Sequence, residues 1–249
     1  MAAIAAYMLY RVAADHLYSQ IMATLIKGAG ITIFVTAIGF ALAAAAGLLL
    51  ALGSMSRFLA LRQVVRFYVE LVRGIPILVI LLYVAFVGAP ALVAGWNAVT
   101  GLVGVDPVRT RDFTLLWRAI IALTIGYSAF LAEVFRAGLQ SVDSGQIEAA
   151  EALGLTTWQR FRHIVFPQAI RTILPPLGND FIAMVKDSSL VSVLGVADIT
   201  QLGKVTAAGN FRYFETYNMV TLLYLMMTVT LSLLMRRLER QLRMKIPEH

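Results

Sequence analysis

Long uncharged runs separated by short charged segments organise this chain. Gly28 to Leu52 holds 25 residues without a formal charge, enough for a helix to cross a hydrocarbon core of about 30 Å with some tilt. A second uncharged run lies between Arg73 and Asp106, and Pro76, Pro90 and several glycines make it too long and too broken for one straight helix. The pattern predicts a helix over 64–87, then an irregular segment from Ala89 to Asp112. Residues 115–139, 172–196 and 217–235 supply three further spans, the fourth of the series carrying several ionisable side chains. The run Met1–Tyr10 is too short to cross and has no basic stretch before it, so residues 1–27 are expected to form an extracytoplasmic or interfacial segment and not a cleaved signal. The expected fold class is an all-α membrane bundle of about five spans over residues 28–240, with a tail at 241–249.

Composition narrows this further. Of 249 residues 59% are hydrophobic and only 14% charged, and the mean hydropathy is +0.78. A soluble domain carries roughly a quarter charged residues, so much of this surface faces lipid. The net charge of +7 is scattered between apolar runs, which suits topology signals and not a nucleic-acid face. The stretches Arg57–Arg73, Arg136–Arg171 and Arg236–Lys245 hold thirteen basic residues, the alternate loops hold seven, and Lys186 falls inside a span. Positive charge concentrates on the cytoplasmic side. The N-terminus is therefore expected outside and the C-terminus inside. With no cysteine, disulfides and thiolate chemistry are excluded. The three histidines are far apart and no Gly-x-Ser-x-Gly elbow is present, so enzyme readings find little support.

The loop at 140–170 is punctuated as two short helices. Ser144 can cap the first, which runs through Gln146, Glu148, Ala149, Ala150 and Glu151 to Leu153, where Gly154 supplies a left-handed stop. Thr156 and Gln159 have capping-box spacing for a second helix, expected to end before Pro167. On periodicity alone the segment reads first as an ordinary solvated connector. The order Glu148-Ala149-Ala150, three residues, Gly154, nine residues, Ile164-Val165-Phe166-Pro167 closely resembles the EAA loop of binding-protein-dependent ATP-binding-cassette importer permeases. Arg73-Gly74-Ile75-Pro76, the stretch Glu133–Gly138, Leu174-Pro175-Pro176-Leu177-Gly178-Asn179 and Lys186-Asp187-Ser188-Ser189-Leu190 resemble the polar amino acid branch of that family. The likeness covers about Gly28 to Arg240 and departs at Phe166, where leucine is usual.

That resemblance implies a type I importer permease bundle in the bacterial inner membrane. It also implies an assembly: a second permease subunit, identical or similar, two cytoplasmic ATPase subunits and an extracytoplasmic amino acid binding protein. Glu148, Ala149, Ala150, Glu151, Gly154, Phe161 and Pro167 would couple this chain to the ATPase. No cofactor is expected on this chain, and ATP with magnesium would sit on the partner ATPases. The chain's one Gly-Lys pair, Gly203-Lys204, is followed by valine and has Asp198 where a P-loop needs glycine. A secondary transporter or channel subunit is the alternative, although no internal repeat of the kind common in secondary transporters is visible.

Inside the bundle, Asn179, Asp180, Ala183, Lys186 and Asp187 fall within about 120° on a helix wheel. Charges near the bilayer centre cost at least about 2.5 kcal/mol, so this stripe is expected to face the interior. There it either lines a substrate pathway with Glu133 and Arg73 or is neutralised by Glu133 or Arg136. Arg66, Glu70 and Arg73, at i, i+4 and i+7, are expected to form a salt ladder.

Overall fold

The computed structural model describes residues 10, 12 and 14–243; the expectation for Met1–Tyr10 lies almost wholly outside them. The described elements are helical, in the order α1 (His16–Ser54), α2 (Leu59–Gly74), α3 (Ile77–Tyr83), α4 (Ala89–Thr100), α5 (Leu115–Gln140), α6 (Ser144–Ala152), α7 (Thr157–Arg160), α8 (Phe166–Asp187), α9 (Ile199–Asn210) and α10 (Tyr213–Arg243). Among the described residues four stretches are long and apolar enough to cross a membrane: His16–Ser54, Ile77–Val103, Leu115–Gln140 and Tyr213–Gln241. The charged α8 is not among them.

Several boundaries differ from those expected. Helix α1 starts at His16, so the division at residue 27 marks a charge and not a helix end. Lys27 is exposed on the helix surface, where a lysine is a good helix former. The span expected over 64–87 is divided at Ile75–Pro76, because Pro76 holds its predecessor extended (Ile75 φ −104°, ψ 131°). The supposedly irregular stretch after Ala89 is helical to Thr100, then a short 3-10 turn to Val103 that Gly104 ends at φ 74°. The expected span 172–196 is α8 followed by a 3-10 run, Ser188–Leu194, stopped by Gly195 at φ 81°.

Two prolines pass through helical structure by the same device. A π-helical turn, Val84–Gly88, links α3 to α4 with Pro90 just beyond it, and a second, Phe161–Val165, links α7 to α8 with Pro167 just beyond it. In each the next amide reaches back five residues, Ala89 to Val84 and Phe166 to Phe161. Proline lacks an N–H, and its ring crowds the carbonyl four residues earlier. A widened turn carries that carbonyl away from the ring. The second loop helix accordingly does not end before Pro167, and α8 also continues through Pro175 and Pro176.

The helices divide into two compact units. The first comprises the described residues up to Phe40, Pro76–Leu123 and Met184–Thr230. Its core sets Tyr18, Ile21, Met22 and Leu25 of α1, an i, i+3, i+4, i+7 face, against Ile199 of α9 and Met219, Val220, Leu222 and Leu223 of α10. Gly28 lies so close to the Asp198–Ile199 backbone that a β-carbon there would meet it at 2.7 Å. Arg118, one of the seven basic residues assigned to the alternate, outer side, is 7% exposed. Its guanidinium donates to the Phe113, Ala85 and Thr110 carbonyls.

The second unit comprises Ala41–Ile75, Thr124–Ala183 and the described residues from Leu231 onward. Val142, Ala169 and Ile173 form its core, with Val134, Phe135, Leu139, Ile147, Ile164, Val165 and Leu177 packed round them. Gly138 of α5 abuts Ile173 and the Ala169 carbonyl of α8. The Tyr68 hydroxyl and Ser128 Oγ share a 3.0 Å hydrogen bond between α2 and α5.

Candidate functional site

Two features of the second unit bring sequence-predicted residues together. The first is the loop between α5 and α8. Helix α6 is capped by Asp143, whose carboxylate accepts from the Gly145 and Gln146 amides at 2.8 and 3.3 Å. Ser144 is the first helical residue and not the cap. Both types cap well, and the extended Asp143 backbone (φ −60°, ψ 130°) decides between them. Within α6, Ala150 is 2% exposed while Glu148, Ala149 and Glu151 face outward. The helix ends as expected: Gly154 takes φ 76°, and the Gly154 and Leu155 amides close on the Glu151 and Ala150 carbonyls.

Thr156 and Gln159 form the expected reciprocal cap on α7. Arg160 reaches back to Glu151 at 2.7 Å, an exposed tie worth at most about 1 kcal/mol. Gln168 donates to Gln146 at 2.6 Å, joining α8 to α6. On the outside of this braced loop the rings of Trp158, Phe161 and Phe166 run in sequence, each 5.9 Å from the next. Trp158 is 65% exposed and Leu153 80%. A rigid loop with an uncovered aromatic and aliphatic face has the chemistry of a docking surface. Pro167 follows Phe166 in the first turn of α8.

The second feature is a cavity of about 380 Å³ lined by Leu50, Ser54, Arg66, Val69, Glu70, Arg73, Ala132, Glu133, Arg136 and Gln140. Arg73 and Glu133, expected on one pathway, do share it. Glu133 and Arg136 pair with each other, and Arg136 also donates to Gln140 at 2.8 Å. The salt ladder on α2 is not formed: among the described residues Arg66 and Glu70 make no ion pair or hydrogen bond, and the Arg73 guanidinium lies 5.7 Å from the Phe130 ring centre. Register puts the three on one face, but a cation–π contact competes for Arg73.

The charged stripe of α8 is only partly covered. Asn179 and Lys186 are exposed, and Asp180, Ala183 and Asp187 are half-buried. Glu133 and Arg136 satisfy one another, so no ion pair joins either to Asp180 among the described residues. Arg66, Glu70, Ser54 and Gln140 are cavity residues that the sequence reading did not place in the site. Their i, i+4, i+7 spacing beside Arg73 was the available signal for the first two.

A family model described as binding-protein-dependent transport system inner membrane component matches residues 43–245. A probable amino-acid permease protein, YxeN of Bacillus subtilis, is 38% identical over 217 residues, 87% of this chain and 90% of that protein. The glutamine transport system permease protein GlnP of Escherichia coli is 37% identical over 222 residues, 89% and 93% of the two chains. A crystal structure of an amino acid ABC transporter with histidines superposes with a TM-score of 0.74 at 36% identity, covering 88% of this chain and 94% of that one.

Proposed function

The chain belongs to the inner membrane components of binding-protein-dependent transport systems, and from that premise we propose that it carries a polar amino acid inward, driven by partner ATPases that act on Glu148–Pro167. As a member of that family it is a multi-pass inner membrane permease subunit of an ABC importer and not itself an enzyme. Relatives named for glutamine and for amino acids in general support the substrate class. In this reading a second permease subunit completes the pathway, a binding protein delivers the substrate from outside, and ATP with magnesium is held by two cytoplasmic ATPase subunits. The N-terminus is outside and the loop is cytoplasmic, so a cysteine replacing Ser144 labels from the cytoplasmic side alone.

The observation that carries the coupling role is the exposed Leu153, Trp158, Phe161 and Phe166 face on a loop whose exit direction Gly154 sets. A face of this kind seats in a groove on a partner and passes displacement directly into α8. Glu148, Ala149 and Glu151 border it, and Ala150 is the buried residue beneath.

Gly154→Val forces a β-branched residue to a positive φ, costing about 1–2 kcal/mol locally, and Ala150→Trp pushes α6 off its support. Both variants are expected to insert and to retain the helical bundle, while in proteoliposomes with ATPase and binding protein the substrate no longer stimulates ATP hydrolysis or uptake. Co-purification of the ATPase, measured at matched protein amounts, separates lost docking from lost transmission. Normal coupling in both variants would refute the role of the loop.

A further inference from the structure

The charged cavity of the second unit presents an ordered array and not merely a mixture. Arg66, Glu70 and Arg73 line it from one helix in the order cation, anion, cation, at axial steps of about 6 Å and 4.5 Å. Neighbours at this spacing on a helix ordinarily pair, yet these do not. The exposed side chains of Arg66 and Glu70 make no ion pair or hydrogen bond among the described residues, and Arg73 is drawn toward the Phe130 ring. Opposite them Glu133 is bound by Arg136, which Gln140 also holds, and attracts Arg73 and Arg66 only at longer range. Two cations and one anion thus remain without an ion pair or side-chain hydrogen bond, facing about 380 Å³ of space, within the range of small-molecule sites.

From this complementarity we infer that the cavity accepts a dicarboxylic α-amino acid, an inference that rests on the amino acid permease reading above. Such a ligand carries two carboxylates and one ammonium, the inverse of the uncancelled charges. Its α-ammonium meets Glu70 and its α-carboxylate meets Arg73, whose planar guanidinium offers two parallel donors. The side-chain carboxylate reaches Arg66, one turn earlier on α2. An uncharged amide analogue keeps the first two contacts but leaves Arg66 without an anion. A cationic amino acid sets like charge against Arg66. The order of preference is therefore acidic, then amide, then basic. Anionic lipid phosphates share the chemistry that Arg66 and Arg73 recognise but carry no ammonium for Glu70.

Equilibrium binding of radiolabelled L-glutamate, L-glutamine and L-arginine to the complex of this chain with its ATPase partner, without binding protein, tests the assignment. Glutamate is expected to bind at least about tenfold more tightly than glutamine, with arginine weakest. Arg66→Gln brings the glutamate-to-glutamine ratio toward one, and Arg66→Lys keeps part of it. Glu70→Gln and Arg73→Gln weaken glutamate and glutamine together. Unfolding midpoints of the variants show whether each remains folded. Measuring in nanodiscs of phosphatidylcholine with and without phosphatidylglycerol identifies the anion: loss of glutamate binding on adding the anionic lipid would assign the guanidiniums to headgroups and overturn the inference. Arginine bound as tightly as glutamate, an unchanged ratio in Arg66→Gln, or no amino acid bound at millimolar concentration also overturns it. If binding protein still stimulates ATP hydrolysis in those cases, the permease reading stands and only the substrate class falls. A wild-type complex without that stimulation refutes the permease reading instead.

Discussion

Two sets of polar groups, one in each unit, are handled in opposite ways. In the first, Asp198 is fully buried, and its carboxylate accepts the Gln201 amide at 2.8 Å and the Tyr224 hydroxyl at 3.1 Å. Tyr224 also contacts Thr200 at 3.0 Å, and Lys204 donates to Ser192 at 3.0 Å. In the second, Arg66 and Glu70 line open space with no such partners among the described residues. A buried polar group with its hydrogen bonds made fixes where helices meet. An exposed charge is solvated and needs no such partner, so Arg66 and Glu70 stay open to a solute. The contrast separates groups that build the molecule from groups that serve it, and it can be tested by substitution in each unit.

The largest effect is expected from Glu70→Lys, which turns the α2 face of the cavity wholly cationic. Uptake of any α-amino acid should fall roughly 100-fold, as when a charged partner is reversed at a desolvated contact, with an unfolding midpoint close to that of the parent. A large drop in that midpoint would place Glu70 among the building groups. Lys186→Met comes next. Exposed on α8, Lys186 is expected to change uptake or substrate preference by about tenfold when its charge is removed, and Lys186→Arg should keep much of the function. Unaltered transport in the methionine variant would reduce the α8 stripe to packing. The smallest change is in the first unit: Asp198→Ala should lower unfolding free energy by about 1–2 kcal/mol, through loss of the α9 cap and of the Tyr224 acceptor, and leave amino acid preference unaltered. Asp198→Asn, which still accepts the amide hydrogen bond, should recover most of the loss. A shift in preference would erase the distinction between the units.

Uncharged runs made most of the spans legible, and the Gly154 and Thr156–Gln159 signals located the end of the first loop helix and the start of the second to within a residue, while the end expected before Pro167 is absent. Both signals are local: a positive φ and a three-residue reciprocal cap are written in adjacent positions. The errors arose where distant atoms decide. Arg118 counts as a surface charge in any linear tally, but backbone carbonyls of Ala85, Thr110 and Phe113 hold it, and carbonyls carry no side-chain label. The α2 charges share a face by register, while the Phe130 ring that draws Arg73 aside comes from α5. Residues of the loop and the α8 stripe were recognisable by resemblance, whereas Arg66 and Glu70 entered the site through the cavity they line.

The widened turn at Phe161–Val165 has a consequence for heredity as well as for shape. A π turn is ordinary helix with one residue inserted, and it absorbs that residue by widening. The bearing of Trp158 relative to Ile173 therefore tolerates the insertion, and what the extra residue secures is room for Pro167. Point substitutions in this turn can drift, but a single-codon deletion would draw it back to an α turn and set the Pro167 ring against the carbonyl four residues earlier, while leaving every side chain of the aromatic face intact.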